Sequence, residues 1–206
     1  MAFSAFLDTC VLVPSVQRDL LLETASAGAF RPLWSSRVEE ELRRTLKTRH
    51  EVRKWDPEES QAYITRLLRN MNRALPDARV VGWEWLEESI QRLPDPDDRH
   101  VVAAALQGQA SVIVTANLKD FPDSALPGNL FGQHPDEFLL DLLDLSPTAM
   151  EHALSRVSER TGVHGPRWSI SDLLDRLEHE HLSAFVAEAR RRFQDVDHSM
   201  TDSRPK

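Results

Sequence analysis

The chain is poor in the residues that build several common chemistries. It has one cysteine in 206 residues, Cys10, which excludes an internal disulfide framework and a cysteine-based zinc site. That scarcity fits a reducing compartment, and the expected location is the cytoplasm. No stretch approaches the ~18 consecutive apolar residues of a bilayer-spanning helix, so no membrane is expected as a partner. The opening MAFSAFLDTCVLV lacks a basic leader and meets Asp8 early, which argues against a secretory signal and for a first strand. There is no glycine-rich phosphate loop and no Gly-x-Ser-x-Gly elbow. Positive charge is not in excess either: 33 acidic residues against 25 lysines and arginines leave −8, which argues mildly against a uniformly positive nucleic-acid surface.

What is present is the composition of a soluble globular protein, long enough for one domain and an appendage. The acidic balance has a local exception. Between Leu42 and Lys54, the cations Arg43, Arg44, Lys47, Arg49, Arg53 and Lys54 face Glu51 alone. This patch is either a solvated helix face or a surface for a polyanion.

Residues 3–7 read as a short apolar strand ending at Asp8. Residues 11–30 form a helical region, with Pro14 near its beginning and Gly28 near its end. A second strand at 32–35 leads to a helix over RVEEELRRTLKTRH, capped by Ser36 with Glu39 at capping-box spacing. Val38, Leu42, Thr45 and Leu46 trace its inner stripe, and Glu41 stands at the edge of that stripe. A helix from Asp56-Pro57 to about Leu75, a strand at 79–82 and a short helix in WEWLEESIQRL follow. Asp97 and Asp98 then open an apolar helix that ends near Gly108, ahead of the buried strand SVIVT and an acidic turn at Asp120. Residues 129–132 add a weak edge strand. Strands alternating with helices of ten or more residues predict an α/β fold, three layers (α/β/α) around a mainly parallel sheet. From Asp136 the texture is purely helical, over 136–145, 146–162 and 169–193, with a capping box from Ser169 to Asp172. The expected organisation is a domain over 1–135, a helical extension over 136–195 and a disordered tail over 196–206.

Ligands of open parallel α/β sheets bind beyond the carboxyl ends of the strands. Asp8 and Asp120 follow two such ends, with Thr115 and Asn117 leading into Asp120. Asp98 opens a helix that starts at the same rim, and Glu41 lies on the helix after the second strand. Singly, each acid has a plain structural use as turn former, cap or surface charge. Together on one rim they would repel one another unless cations neutralised them. Hard oxygen donors, with no available cysteine set and no clear histidine cluster, point to Mg2+ or Mn2+. Such a site suits metal-assisted hydrolysis of a phosphodiester.

The runs FLDTCVLVPS, WSSRVEEELRRTL and DPDDRHVVAAALQGQASVIVTANLKDFP resemble the successive motifs of PIN-domain ribonucleases, of the kind found in VapC-type toxins of toxin–antitoxin pairs. The resemblance covers about residues 3–140 and is most specific in the last run. It implies a five-stranded parallel sheet and divalent-metal-dependent cleavage of RNA. It also implies a cognate antitoxin that covers the site. Carried over, the catalytic and metal-holding acids are Asp8, Glu41 rather than Glu40, Asp98 and Asp120, with Asp95 and Asp97 flanking and Thr115 and Asn117 around them. Arg43, Arg44, Lys47 and Arg49 would then meet the RNA backbone. A homodimer is among the expected assemblies. The long helical C-terminal region departs from the minimal family form and resembles the extension of a larger VapC-like subgroup.

Two other classes share part of this pattern. A phosphatase of haloacid-dehalogenase type also opens on a strand-borne Asp, but it wants a second Asp where Cys10 stands. A non-catalytic PIN-fold module binding RNA or protein would not need the full set of acids. Among the remaining residues, His179-Glu180-His181 reads as neighbours on one helix that point apart, not as a metal site. His100 reads as helix packing, with substrate contact as the alternative. The five tryptophans read as core or rim rather than stacking platforms, and Cys10 as buried packing.

Overall fold

The computed structural model describes residues 3–161 and 166–200, with side chains described as far as Phe193. Strands β1 (Ser4–Leu7), β2 (Arg31–Ser35), β3 (Arg79–Val80), β4 (Val112–Val114) and β5 (Phe131–Gln133) form one sheet in the order β3-β2-β1-β4-β5. Every pairing is parallel. The central strands β1 and β4 are buried on both faces, which is why their sequences are continuous apolar runs rather than alternating ones. The chain moves outward from β1 to β2 and β3, then crosses back to lay β4 and β5 on the other side of β1. Strand order therefore reverses between β1 and β4, and a crevice opens beyond their carboxyl ends. Leu7 is in register with Val114, and the Asp8 N–H donates to the Val114 carbonyl at 3.1 Å. Asp8 and Thr115 consequently leave the sheet side by side.

The helices between the strands differ from the sequence expectation in detail. The helical region over 11–30 is two helices, α1 (Thr9–Leu12) and α2 (Ser15–Ser26), parted at Pro14, whose ring cannot continue a helix. Helix α3 (Ser36–Val52) is capped by Ser35, one residue earlier than expected, with its Oγ accepting from the Val38 N–H at 3.2 Å. Glu39 does not complete a capping box. Its carboxylate accepts instead from Trp34 Nε1 at 3.1 Å and Asn72 Nδ2 at 2.8 Å, tying α3 to β2 and to α4 (Pro57–Ala74). Helix α5 keeps only Glu84–Glu87 of the expected stretch, and α6 is Arg99–Gln107.

Helices α7 (Pro135–Leu145), α8 (Pro147–Thr161), α9 (Ile170–His179) and α10 (Ser183–Met200) follow the last strand. The stretch read as one helix over 169–193 is two, broken where His181 adopts a left-handed φ of 67°. His179, Glu180 and His181 thus belong to a helix end and a turn, not to one continuous helix. Helix α10 runs to Met200, into the segment expected as a tail, and 201–206 lie outside the described residues.

These helices share one hydrophobic core with the sheet domain. The Phe138 ring stands edge-on to Phe30 at 5.0 Å between centroids and to Phe3 at 6.1 Å. Glu23 on α2 pairs with Arg156, at 3.0 Å, and with Arg160 of α8. Asp136 accepts from the N–H groups of Ala184 and Phe185, capping α10 from the start of α7. Among the described residues no helix is long and apolar enough to cross a membrane.

Candidate active site

The site assembles at the reversal point of the sheet. Asp8 follows β1, is 9% exposed, and sits at the N-cap position of α1 without making a side-chain cap bond. Its Oδ2 instead accepts from Thr115 Oγ1 at 2.8 Å and from Cys10 Sγ at 3.0 Å. Thr115 Oγ1 in turn accepts from the Asn117 N–H at 3.1 Å, and Asn117 Nδ2 donates to Asp120 Oδ2. A hydrogen-bonded chain therefore runs from Asp8 through Thr115 and Asn117 to Asp120, and fixes the two acids relative to each other.

Asp98 stands at the N-cap position of α6, yet it too makes no cap bond. The side-chain cap lies one turn earlier, where Asp95 Oδ1 accepts from the Asp97 N–H at 2.9 Å at the start of a 3-10 turn over Pro96–Asp98. The carboxyl of Asp98 is left free of capping work. Burial, then the negative charges of Asp8, Asp95 and Asp120, push it up from an ordinary 3.8 to about 6. The shift shows that these acids feel one another across the crevice.

Glu41 reaches the same rim from the second turn of α3, whereas Glu40 is exposed to solvent. Both Glu41 oxygens are engaged: Oε2 accepts from Thr9 Oγ1 at 2.7 Å, and Oε1 lies 3.0 Å from His100 Nε2 and 3.9 Å from Arg37 Nε. Burial works against its charge, but the bonds from His100 and Thr9 and the charges of His100 and Arg37 win and hold it below the usual range. Glu41 is thus a matched acid, unlike Asp98. His100 is 1% exposed, so it is closed to substrate; its role beyond packing is to pair with Glu41. Its Nδ1 is buried without a hydrogen-bond partner.

Cys10 is more than packing. Its thiol bonds Asp8 and accepts from the Ala116 N–H at 3.2 Å; burial and the Asp8 charge push its pKa up to about 12. Thr9 and Cys10 were findable in the sequence as the immediate successors of Asp8. The pairing of Glu41 with His100 was not, because it depends on how α3 and α6 meet. Of the cationic patch, Arg43, Arg44 and Lys47 are exposed and, among the described residues, form no ion pair, while Arg49 lines a cleft that starts at Cys10 and Ala116.

Among the described residues no group of three or more His, Cys, Asp or Glu side chains is arranged to hold a metal ion as it stands. The donor chemistry nonetheless fits a hard cation. Asp8, Asp98 and Asp120 offer only oxygen, and a divalent ion would offset both the burial and the repulsion that raise Asp98.

Comparison with known proteins agrees with the architecture. The model of the PIN domain matches residues 4–119, and that of the VapC50 C-terminal domain matches residues 135–191. A curated protein of Mycobacterium tuberculosis named "Putative ribonuclease VapC50" is 45% identical over 97 residues, which is 47% of this chain and 56% of that protein. The match therefore spans little more than half the length of that relative. No solved structure matches the chain significantly. With its PIN model covering more than half of the sequence, over a five-stranded parallel sheet, the chain belongs to the PIN-domain family.

Proposed function

We propose that this protein is a divalent-metal-dependent endoribonuclease that hydrolyses phosphodiester bonds of RNA. In this reading it is the toxin of a toxin–antitoxin pair, acting in the cytoplasm and held in check by a cognate antitoxin. The observation that carries the reading is the unspent carboxyl of Asp98. It makes no cap bond at the start of α6 and feels the charges of Asp8 and Asp120 at the reversal point of a parallel sheet. The ribonuclease name of the Mycobacterium tuberculosis relative supports the same chemistry.

Asp8, Asp98 and Asp120 would hold a Mg2+ or Mn2+ ion, with Glu41 at its edge. When bound, such an ion polarises the phosphoryl oxygen and lowers the pKa of a water. The rest is done by the chain. Thr115 and Cys10 occupy Oδ2 of Asp8 and leave Oδ1 without a hydrogen-bond partner among the described residues. Asn117 orients Asp120. Thr9 donates to Glu41, His100 Nε2 lies 3.0 Å from it and Arg37 lies 3.9 Å away, so Glu41 is, among the described residues, the one rim acid with its oxygens already engaged on both sides. Exposed cations on α3 draw the polyanion toward an otherwise acidic protein.

The test is cleavage of a fluorescently labelled RNA with Mg2+ or Mn2+ by the wild type, Asp8→Ala and Asp98→Ala. Loss of about a hundredfold or more in each variant is expected. Undiminished cleavage by both would overturn the assignment.

A further inference from the structure

A cleft of about 760 Å³ lies between the C-terminal end of α3, the start of α2 and the turn joining α9 to α10. Cys10, whose thiol donates to Asp8 at 3.0 Å, and Ala116, next to Thr115, are among its lining residues, so the cleft borders the site. Three arginines line it against a single carboxylate, Glu180, on a chain whose net charge is −8. Glu180 is already committed, accepting from the Gln17 N–H at 3.1 Å near the start of α2. Arg18 is committed too, to the Leu12 carbonyl at 3.1 Å and the Tyr63 hydroxyl at 3.3 Å. The side chains of Arg49 and Arg53 are exposed and, among the described residues, have neither hydrogen-bond nor ion-pair partners.

The same cleft holds a built aromatic platform. Helix α3 ends with the Trp55 N–H donating to the His50 carbonyl and the Lys54 N–H to that of Glu51, each at 3.0 Å, while Lys54 takes a left-handed φ of 57°. This double bond pattern folds the chain back over the last turn and brings the residue after the left-handed position onto the helix. Trp55 accordingly stacks on His50, with ring centroids 4.2 Å apart and planes 10° from parallel. Tyr63 stands edge-on to both rings, and His50 Nδ1 lies 2.8 Å from Ser60 Oγ. Burial and the charge of Arg53 hold the His50 imidazole below its ordinary pKa, so it backs the indole as a neutral ring at pH 7. Trp34 and Trp83 are 0% and 4% exposed; Trp55 is 42% exposed and lines the cleft.

We propose that this cleft is a nucleotide subsite of the ribonuclease, in which single-stranded RNA lays a base on Trp55 and its phosphates against Arg49 and Arg53. The inference rests on the ribonuclease reading and extends it by naming how the strand is held. Arg49 lies two turns beyond Glu41, about 12 Å along the axis of α3, so one helix carries both the rim acid and the strand contact. Glu180 and His181 also line the cleft, so the turn joining α9 to α10 contributes to the subsite. Aromatic stacking accepts any base, which makes the grip general for single strands.

The experiment measures binding of a short single-stranded RNA to the full chain in EDTA, by tryptophan fluorescence and by anisotropy of a label. Wild type is expected to show saturable quenching that disappears in Trp55→Phe, with Trp55→Ala weakening affinity about tenfold. The double variant Arg49→Gln/Arg53→Gln is expected to lower the slope of log affinity against log salt by about 1.4, roughly 0.7 per cation on a single strand. Circular dichroism confirms that each variant is folded. Quenching that persists in Trp55→Phe, no quenching in wild type, or an unchanged salt slope in the double variant overturns the subsite. Cleavage with Mn2+ separates the two readings. If wild type and Trp55→Ala cut RNA equally at limiting RNA, the nuclease stands and the subsite falls. If neither cuts while Trp55-dependent binding is intact, the subsite stands as an RNA-binding site and the nuclease falls.

Discussion

Thr115, at the end of β4, donates a 2.8 Å hydrogen bond to Asp8, at the end of β1, across 107 positions of sequence. The bond is buried and joins the two strands at the point where strand order reverses. Replacing Thr115 with Val keeps the shape and removes the donor. It is expected to cost about 1 kcal/mol of stability and to reduce RNA cleavage at least tenfold, because Asp8 loses its orientation. Thr115→Ser restores most of both, as read by denaturant unfolding and by cleavage rate.

Asp98 makes the metal-free protein sensitive to pH in a defined direction. Its carboxyl is raised from 3.8 to about 6 in the fold, so the folded state binds more protons than the unfolded chain between those values. Stability is therefore fully present below about 4 and is lost as pH rises through 6. In EDTA at pH 7.5, Asp98→Asn is expected to raise the melting temperature by a few degrees, the change that about 1 kcal/mol brings in a chain of this size. The gain shrinks at pH 5, where wild-type Asp98 is already mostly protonated. Differential scanning calorimetry at the two pH values checks it.

The Glu41 pair behaves oppositely. Its carboxyl is held below the ordinary range once the bonds from His100 and Thr9 outweigh burial. Its contribution is therefore present above that range and lost as pH falls through it. Glu41→Ala is expected to cost about 2 kcal/mol at pH 7, since it strands a histidine that is 1% exposed. Adding His100→Ala costs less than the sum of the single changes, and a double-mutant cycle on unfolding free energies measures the difference.

The sheet domain and the C-terminal helices are expected to unfold together. Phe138 belongs to α7 but packs against Phe3 and Phe30 of the sheet domain. Phe138→Ala is expected to cost 3 kcal/mol or about that, and to lower one shared transition rather than split it in two. Coincident melts by near- and far-ultraviolet circular dichroism check this.

Strand-then-helix alternation made the parallel sheet legible, and apolar runs without alternation located its central strands. The acids after strand ends were legible as well, because a rim is defined by chain order. What each acid does there depended on local hydrogen bonding that no pattern encodes. Asp95, Asp97 and Asp98 look equivalent as caps, yet Asp95 alone accepts the capping bond. The break at His181 was hidden because LEHEHLS contains neither glycine nor proline and keeps a helical rhythm. Trp55 reads, with the other tryptophans, as core or rim because its stacking on His50 follows from a left-handed lysine, a conformation that lysine rarely advertises. The helical texture after Asp136 announced helices without saying that α7 packs on the sheet domain.

The thiol of Cys10, held up at about 12 by burial and by Asp8, is almost wholly protonated at neutral pH. The thiolate, not the thiol, attacks electrophiles, so Cys10 is expected to alkylate slowly in the folded chain although it lines the cleft. Unfolding takes Cys10 away from Asp8 and restores an ordinary thiol, so an alkylating reagent marks unfolded chains faster than folded ones.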